Sequence, residues 1–327
     1  MNSNELVEEF LRGLGAKAAQ TPERVRILRS LVTGFLELAE FDPDDGDLRV
    51  AATVLDELLD AANVFSPWRA HPKLTVFGSA RTHRDTPLYD MARDMSGTMA
   101  ERGWITVSGA GPGIMEASAK GAGKDNTLGV NIELPYEQSS NAYIDAETRL
   151  VEMKYFFTRK VAMTKESLAF AIFPGGLGTM DEAFEILTLL HTGKSKPAPV
   201  VLLDTLDGTY WEAWLRFITE AVLAGGYIDA PDTCLFRICH SIDDAVGEIE
   251  TFYANYVSFE TSDGRGRVVL HRPPTPEQLA RLAETMPKFA TGPGFELAED
   301  HSISFPFDGR NYVGLRLLIN EVNGWVG

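Results

Sequence analysis

Cysteine is nearly absent from this chain: 327 residues hold only Cys234 and Cys239. The two lack a CxxC or Cys/His partner pattern, which argues against a disulfide framework and offers no metal-ligand spacing. We expect two small side chains in a reducing compartment, the cytoplasm. Long apolar runs are missing too, and none approaches the roughly 18 residues of a membrane span. The first residues, MNSNELVEEF, are acidic and show no apolar core, so no signal peptide is expected. Basic runs are the third absence. The formal net charge is -17 and no Lys/Arg-rich segment offsets it. Such a surface repels a phosphate backbone, so DNA and RNA are excluded as main partners. What remains is 44% hydrophobic and 24% charged, as in an ordinary globule, with length for one large α/β domain plus extensions.

The most informative stretch is 168–187, LAFAIFPGGLGTMDEAFEIL. An apolar run, Leu168 to Phe173, suits a buried strand. Pro174-Gly175-Gly176-Leu177-Gly178-Thr179 follows, and then Met180, Ala183, Phe184 and Leu187 at helical spacing. The pattern predicts strand, glycine turn, helix. Glycines remove the Cβ atoms where the backbone bends and where a ligand approaches. The helix start offers free N–H groups and partial positive charge, a site for an anion such as phosphate. Asp181 and Glu182 fall in the first helical turn. They either steady the helix dipole or act on the sugar that the phosphate carries.

Residues 1–70 read as a helical extension, with Thr21-Pro22 as a helix start and a break at 41–46. Two helices there present apolar faces to a neighbour, either their own core or another subunit. Strands are predicted at 74–77, 104–107, 128–134, 168–173 and 200–203, with a last short one at 234–239. Helices are predicted at 87–102, after Gly113, at 152–165, after Thr179, at 210–223 and at 242–253. The segment 135–150 reads as a polar loop over the site. This alternation implies a doubly wound parallel sheet with both faces covered, over 71–257. Residues 258–327 break the rhythm and read as a small α+β appendage, with strands at 267–271 and 303–307, a helix at 275–286, and 312–322 as strand or helix.

Small-residue turns end the strands at 78–81, 108–113 and 174–179. If the first and fourth strands are neighbours, all three converge on one crevice at the carboxyl edge. Gly109-x-Gly111-x-Gly113 does not make a dinucleotide fingerprint. It follows the second strand, and its last gap is one residue.

Several motifs together resemble the LONELY GUY (LOG) family. They are Pro174-Gly175-Gly176-x-Gly178-Thr179-x-x-Glu182, the pair Arg159-Lys160, Phe77-Gly78-Ser79-Ala80-Arg81, Gly111-Pro112-Gly113-Ile114-Met115-Glu116-Ala117, Tyr155-Phe156-Phe157 and Leu134-Pro135-x-Glu137-Gln138. The likeness covers roughly 70–255. It implies a Rossmann-like fold, a homodimer, and hydrolysis of the N-glycosidic bond of nucleoside 5′-monophosphates without cofactor or metal. By that resemblance Glu182 and Arg159 are catalytic. Gly175, Gly176, Gly178 and Thr179 hold the phosphate. Gly78, Ser79, Gly109, Gly111, Gly113, Glu116 and Lys160 are candidate substrate contacts. Phe156 either stacks on the base or belongs to the core, and Arg159-Lys160 is otherwise a solvated basic pair. Relatives are often labelled lysine decarboxylases, but nothing in the sequence marks a lysine for pyridoxal phosphate. The rival reading is a nucleotide-binding or sensor protein on the same fold, which would not need both Arg159 and Glu182.

Overall fold

A computed structural model describes residues 3–15, 21–41, 43–134, 140–286, 294–298 and 300–326. The chain falls into two compact units, 1–56 and 57–327. In the first, α1 (Ser3–Leu14) and α2 (Pro22–Glu40) precede α3 (Asp45–Phe65), within which the boundary lies. Thr21 caps α2 by accepting from the Arg24 N–H. No residue of α2 is buried, and its apolar positions Leu31 and Phe35 stay exposed.

The second unit is built on β1 (Lys73–Phe77), α4 (Pro87–Glu101), β2 (Ile105–Ser108), α5 (Ile114–Ala122), β3 (Thr127–Ile132), β4 (Leu150–Met153), α6 (Phe156–Glu166), β5 (Ala169–Ile172), α7 (Leu177–His191), β6 (Val200–Leu203), α8 (Tyr210–Phe217), β7 (Arg237–Cys239) and α9 (Ile242–Phe252). The strands form a parallel sheet in the order β4-β3-β2-β1-β5-β6-β7. This is the doubly wound, Rossmann-like order, with its switch between β1 and β5. The expected neighbours are therefore neighbours, Leu74 pairing with Ala169 and Phe77 with Ile172.

Alternation along each strand feeds two cores. Phe170, Ile172, Val200 and Leu202 pack with α6, α7 and Trp211 on one face. Ala169, Ala171, Val201 and Leu203 pack with α4, α5 and α9 on the other. Burying a side chain such as Phe170 contributes about 1.5–3 kcal/mol. Both cysteines are free thiols, Cys239 buried and Cys234 half-buried. Burial pushes the thiols up to about 11 for Cys234 and about 12 for Cys239, so both stay protonated.

Two strands differ from expectation. Residues 150–153, divided between a loop and a helix, form β4, and α6 starts only at Phe156. Four residues at a sheet edge are too few to show a period; pairing with β3 makes the strand. The last strand is shorter than 234–239, because Ala230–Leu235 is a 3-10 turn before β7.

Beyond α9 the chain builds an antiparallel sheet from β8 (Tyr256–Ser262), β9 (Arg265–Leu270), β10 (Glu296–Leu297) and β11 (Ile303–Pro306), with α10 (Pro276–Thr285) and α11 (Tyr312–Asn323). The strand β8 was not expected, and 312–322 resolves as helix. This layer has its own core, including Val268, Leu282, Phe305, Leu315 and Ile319. Asn323 ties it to α9, accepting from the Asn255 and Tyr256 N–H groups at 2.8 Å and donating to the Phe252 carbonyl at 2.6 Å. Arg316 reaches across to Glu248 at 2.7 Å, to the Ala198 carbonyl at 3.5 Å and over the Phe252 ring.

Arg316→Leu should therefore lower stability by about 3 kcal/mol, by removing a buried cation from its pair with half-buried Glu248 and from its other contacts. Urea unfolding measures it, and an unchanged midpoint would remove Arg316 as the clamp. Arg316→Lys should recover only part, since an ammonium lacks the guanidinium fork.

Candidate functional site

The site grows from the turn after β1. The Ser79 N–H donates to the Pro174 carbonyl at 3.2 Å, and the Ser79 carbonyl accepts from the Ile114 N–H at 3.1 Å. One residue thus stitches the first turn to the second and to the third. The Ser79 hydroxyl is turned to the Arg81 N–H at 3.0 Å. Gly113 makes this approach possible: its φ is +68°, and a Cβ there would lie 2.3 Å from the Ser79 oxygen. Gly78 packs against the Ile114 side chain.

The second turn carries strain. Ala110 sits at φ 62° in the left-handed region and is fully buried. Asn141 holds it there, its backbone N–H and side-chain amide both donating to the Ala110 carbonyl, and the amide also to that of Gly111. Non-glycine residues in such conformations gather at functional sites.

Arg159 lies across Gly109, where a Cβ would fall 2.1 Å from its Nη2. Its Nε donates to the Val130 carbonyl at 3.0 Å, and its Nη1 stands 3.5 Å from Glu182 Oε1. Both side chains are at least nine-tenths buried, Arg159 at 8% and Glu182 at 7% relative exposure. Burial pushes the Glu182 carboxyl above its ordinary value, and Arg159 and Lys160 pull it part of the way back. Burial likewise pulls Arg159 down while Glu182 props it up. Lys160 is no loose surface cation. It pairs with Asp181 at 2.8 Å and with Glu185, and although burial pulls its ammonium down, these partners raise it overall.

The third turn opens α7. Gly176 is its N-cap and no side chain caps it, while a Cβ at Gly176 or Gly178 would meet open space. Free N–H groups therefore face a vacant approach, as an anion site requires. Thr179 is buried and folds back over Gly175, whose carbonyl accepts from the Tyr210 hydroxyl at 2.7 Å.

Arg159, Lys160, Glu182, Ser79 and the three glycine turns thus meet at one carboxyl edge. The remaining two expected contacts differ in burial. Glu116 is buried in the first turn of α5 and ion-paired to Arg84. Phe156 is 51% exposed at the start of α6, so it is not core. Pro135, Glu137 and Gln138 lie outside the described residues. Asn141, Tyr210 and Arg84 were missed as parts of the site; each acts through a contact distant in sequence. Among the described residues no cluster of His, Cys, Asp and Glu is placed to hold a metal ion.

Fold and site together define a Rossmann-like α/β protein with an anion cradle and a buried Arg–Glu pair in one crevice. A family profile described as "Possible lysine decarboxylase" matches residues 113–249. A cytokinin riboside 5′-monophosphate phosphoribohydrolase of Rhodococcoides fascians is 29% identical over 197 residues, 59% of this chain and 97% of that protein. A probable enzyme of the same name from Arabidopsis thaliana is 30% identical over 156 residues, 46% of this chain and 75% of that protein. Among solved structures, the molybdenum cofactor carrier protein of Chlamydomonas reinhardtii matches at 22% identity and TM-score 0.38, over 55% of this chain and 96% of that one. The chain belongs to the family of the two phosphoribohydrolases, the LOG family.

Lys160→Met should raise the Glu182 pKa further, because it removes a cation and frees Asp181 and Glu185 to repel the carboxylate. A carbonyl-carbon NMR titration would read this. An unmoved Glu182 would show that Lys160 does not couple to it.

Proposed function

We propose that the protein hydrolyses the N-glycosidic bond of nucleoside 5′-monophosphates to free base and ribose 5-phosphate. The observation that carries this reading is the buried Arg159–Glu182 pair beside the uncapped start of α7. The names of the relatives support it. The phosphate rests on the backbone of Gly175, Gly176, Gly178 and Thr179. With the phosphate anchored there, C1′ lies toward Glu182, one turn into the helix. Its carboxylate stabilises the oxocarbenium-like transition state and takes a proton from water. The water oxygen bonds to C1′, the C1′–N bond breaks with its electrons going to the base, and the base nitrogen gains a proton. One water is consumed. Arg159 keeps Glu182 ionised and orients it. Ser79, Gly109, Gly111 and Glu116 line the sugar and base side, and exposed Phe156 is available to stack on the base.

Decarboxylation by pyridoxal phosphate does not fit Lys160 or Lys73. A Schiff-base lysine needs a lowered pKa, and Lys160 is raised by two carboxylates. Lys73 is lowered by burial, but it begins β1, at the opposite edge of the sheet from the crevice. We read the working form as a cytoplasmic homodimer. Exposed Phe157 and Val161 on α6 and Leu177 and Phe184 on α7 support an apolar interface. The net charge of -17 supports nucleotides rather than nucleic acids as partners.

The test is incubation with AMP, GMP, CMP, UMP and isopentenyl-AMP, followed by chromatography of the free base. Release ranks the substrates and separates cytokinin activation from general purine breakdown. Absence of release, with nucleotides still raising the melting temperature, would leave a binding protein. Glu182→Gln should keep the fold and lose about 10²–10⁴-fold in turnover; wild-type turnover would overturn its role. Because Glu182 acts ionised and its pKa is raised, kcat/KM should climb with pH through a limb above the ordinary carboxylate range. A flat profile there would contradict a general-base role.

A further inference from the structure

Glu57 lies on α3, outside the span of the family profile, yet it is 5% exposed. Its stripe continues with Ala61 and Phe65, which pack in the core with Val151, Met153, Ala162 and Met163. A carboxylate in such a stripe is expensive unless its oxygens are bound. They are. Oε1 accepts from the Lys154 N–H at 2.6 Å and from the Tyr155 N–H at 3.4 Å, and Oε2 from the Thr158 hydroxyl. These donors stand at the entrance of α6, whose N-cap residue, Tyr155, supplies no side-chain cap. Glu57 is therefore a cap delivered from a distant helix, with its negative charge at the positive end of α6. The next residue after Thr158 is Arg159, whose N–H makes an early turn bond of α6, to the Tyr155 carbonyl at 3.3 Å.

We propose that Glu57 is a positioning residue: by capping α6 it fixes where the Arg159 guanidinium meets Glu182. The proposal rests on the hydrolase reading for its kinetic consequence and on geometry alone for the cap. It gives the last turns of α3, which precede the family profile, a role in the reaction. If the start of α6 loosens, Arg159 drifts from Glu182. The carboxylate then faces Lys160, Asp181 and Glu185 with less of the charge that keeps it ionised.

The experiment compares wild type with Glu57→Ala and Glu57→Gln in the full chain. It reads hydrogen exchange over 154–162, melting temperature, and the pH profile of kcat/KM with AMP. In Glu57→Ala we expect faster exchange confined to that segment, a roughly 10–100-fold fall in kcat/KM, and an acid limb displaced upward. Glu57→Gln, which keeps one acceptor oxygen, should restore part of each. A purely structural role would lower the melting temperature and the active fraction while leaving the acid limb in place, and that result overturns the proposal. So does unchanged exchange over 154–162. If Glu57→Ala does not fold, Thr158→Val removes one donor alone and should give the same changes at smaller size; no change would again overturn it. Should wild type release no base, the hydrolase reading fails by itself, and the exchange data still decide the cap.

Discussion

The junction at Ser79 is the constraint on which the site depends. Its N–H and carbonyl join three separate turns, each at the carboxyl end of a strand. That is possible only because β1 sits between β2 and β5, where the strand order reverses. Gly113 makes room for the Ser79 carbonyl, and Asn141 holds Ala110 in its left-handed conformation. The uncapped start of α7 then lies at the same carboxyl edge as the other two turns. An anion site of the proposed kind would be in place before its ligand arrives.

Two opposite charges share that crevice in a nearly dry setting. Neither is there for stability. The folded-state pKa of Glu182 lies above its unfolded value, so stability linked to this group is present in acid and is lost as pH rises through the raised pKa. Burial works against the ionised carboxylate, and Arg159 and Lys160 offset part of that penalty. Asp181 and Glu185 in turn keep Lys160 charged and in place. On the proposed reading, a carboxylate kept ionised but poorly solvated is a competent base, and the fold accepts a loss there for chemistry.

The segments outside the family profile attach through polar contacts as well as packing. The C-terminal layer is fastened by Asn323 and Arg316, both buried and fully engaged with α9 and its surroundings. Glu57 reaches the β4–α6 corner in the same manner. Buried polar groups of this kind fix a geometry more sharply than apolar packing, because a displaced partner leaves an unsatisfied donor or acceptor.

Much of this architecture is local and could be read from residue order. The strand Val200–Leu203 and the strand–glycine turn–helix around 174–179 show their period and their turn chemistry within a few residues. The three glycine turns are visible for the same reason, whereas the pair Arg159-Lys160 and the role of Glu182 stood out through the family resemblance. The strands β4 and β8 were not, since a four-residue edge strand and a strand of mostly half-exposed or exposed residues carry little pattern of their own. The partners of the functional groups were hidden altogether: Glu57 for α6, Asn141 for Ala110, Tyr210 for Gly175, Arg84 for Glu116. Sequence by itself determined which backbone could bend and which helix could receive an anion, because propensity and periodicity act between near neighbours. Only the tertiary structure decided which charges are buried together and what holds them, because desolvation and hydrogen bonding depend on groups brought close from far along the chain.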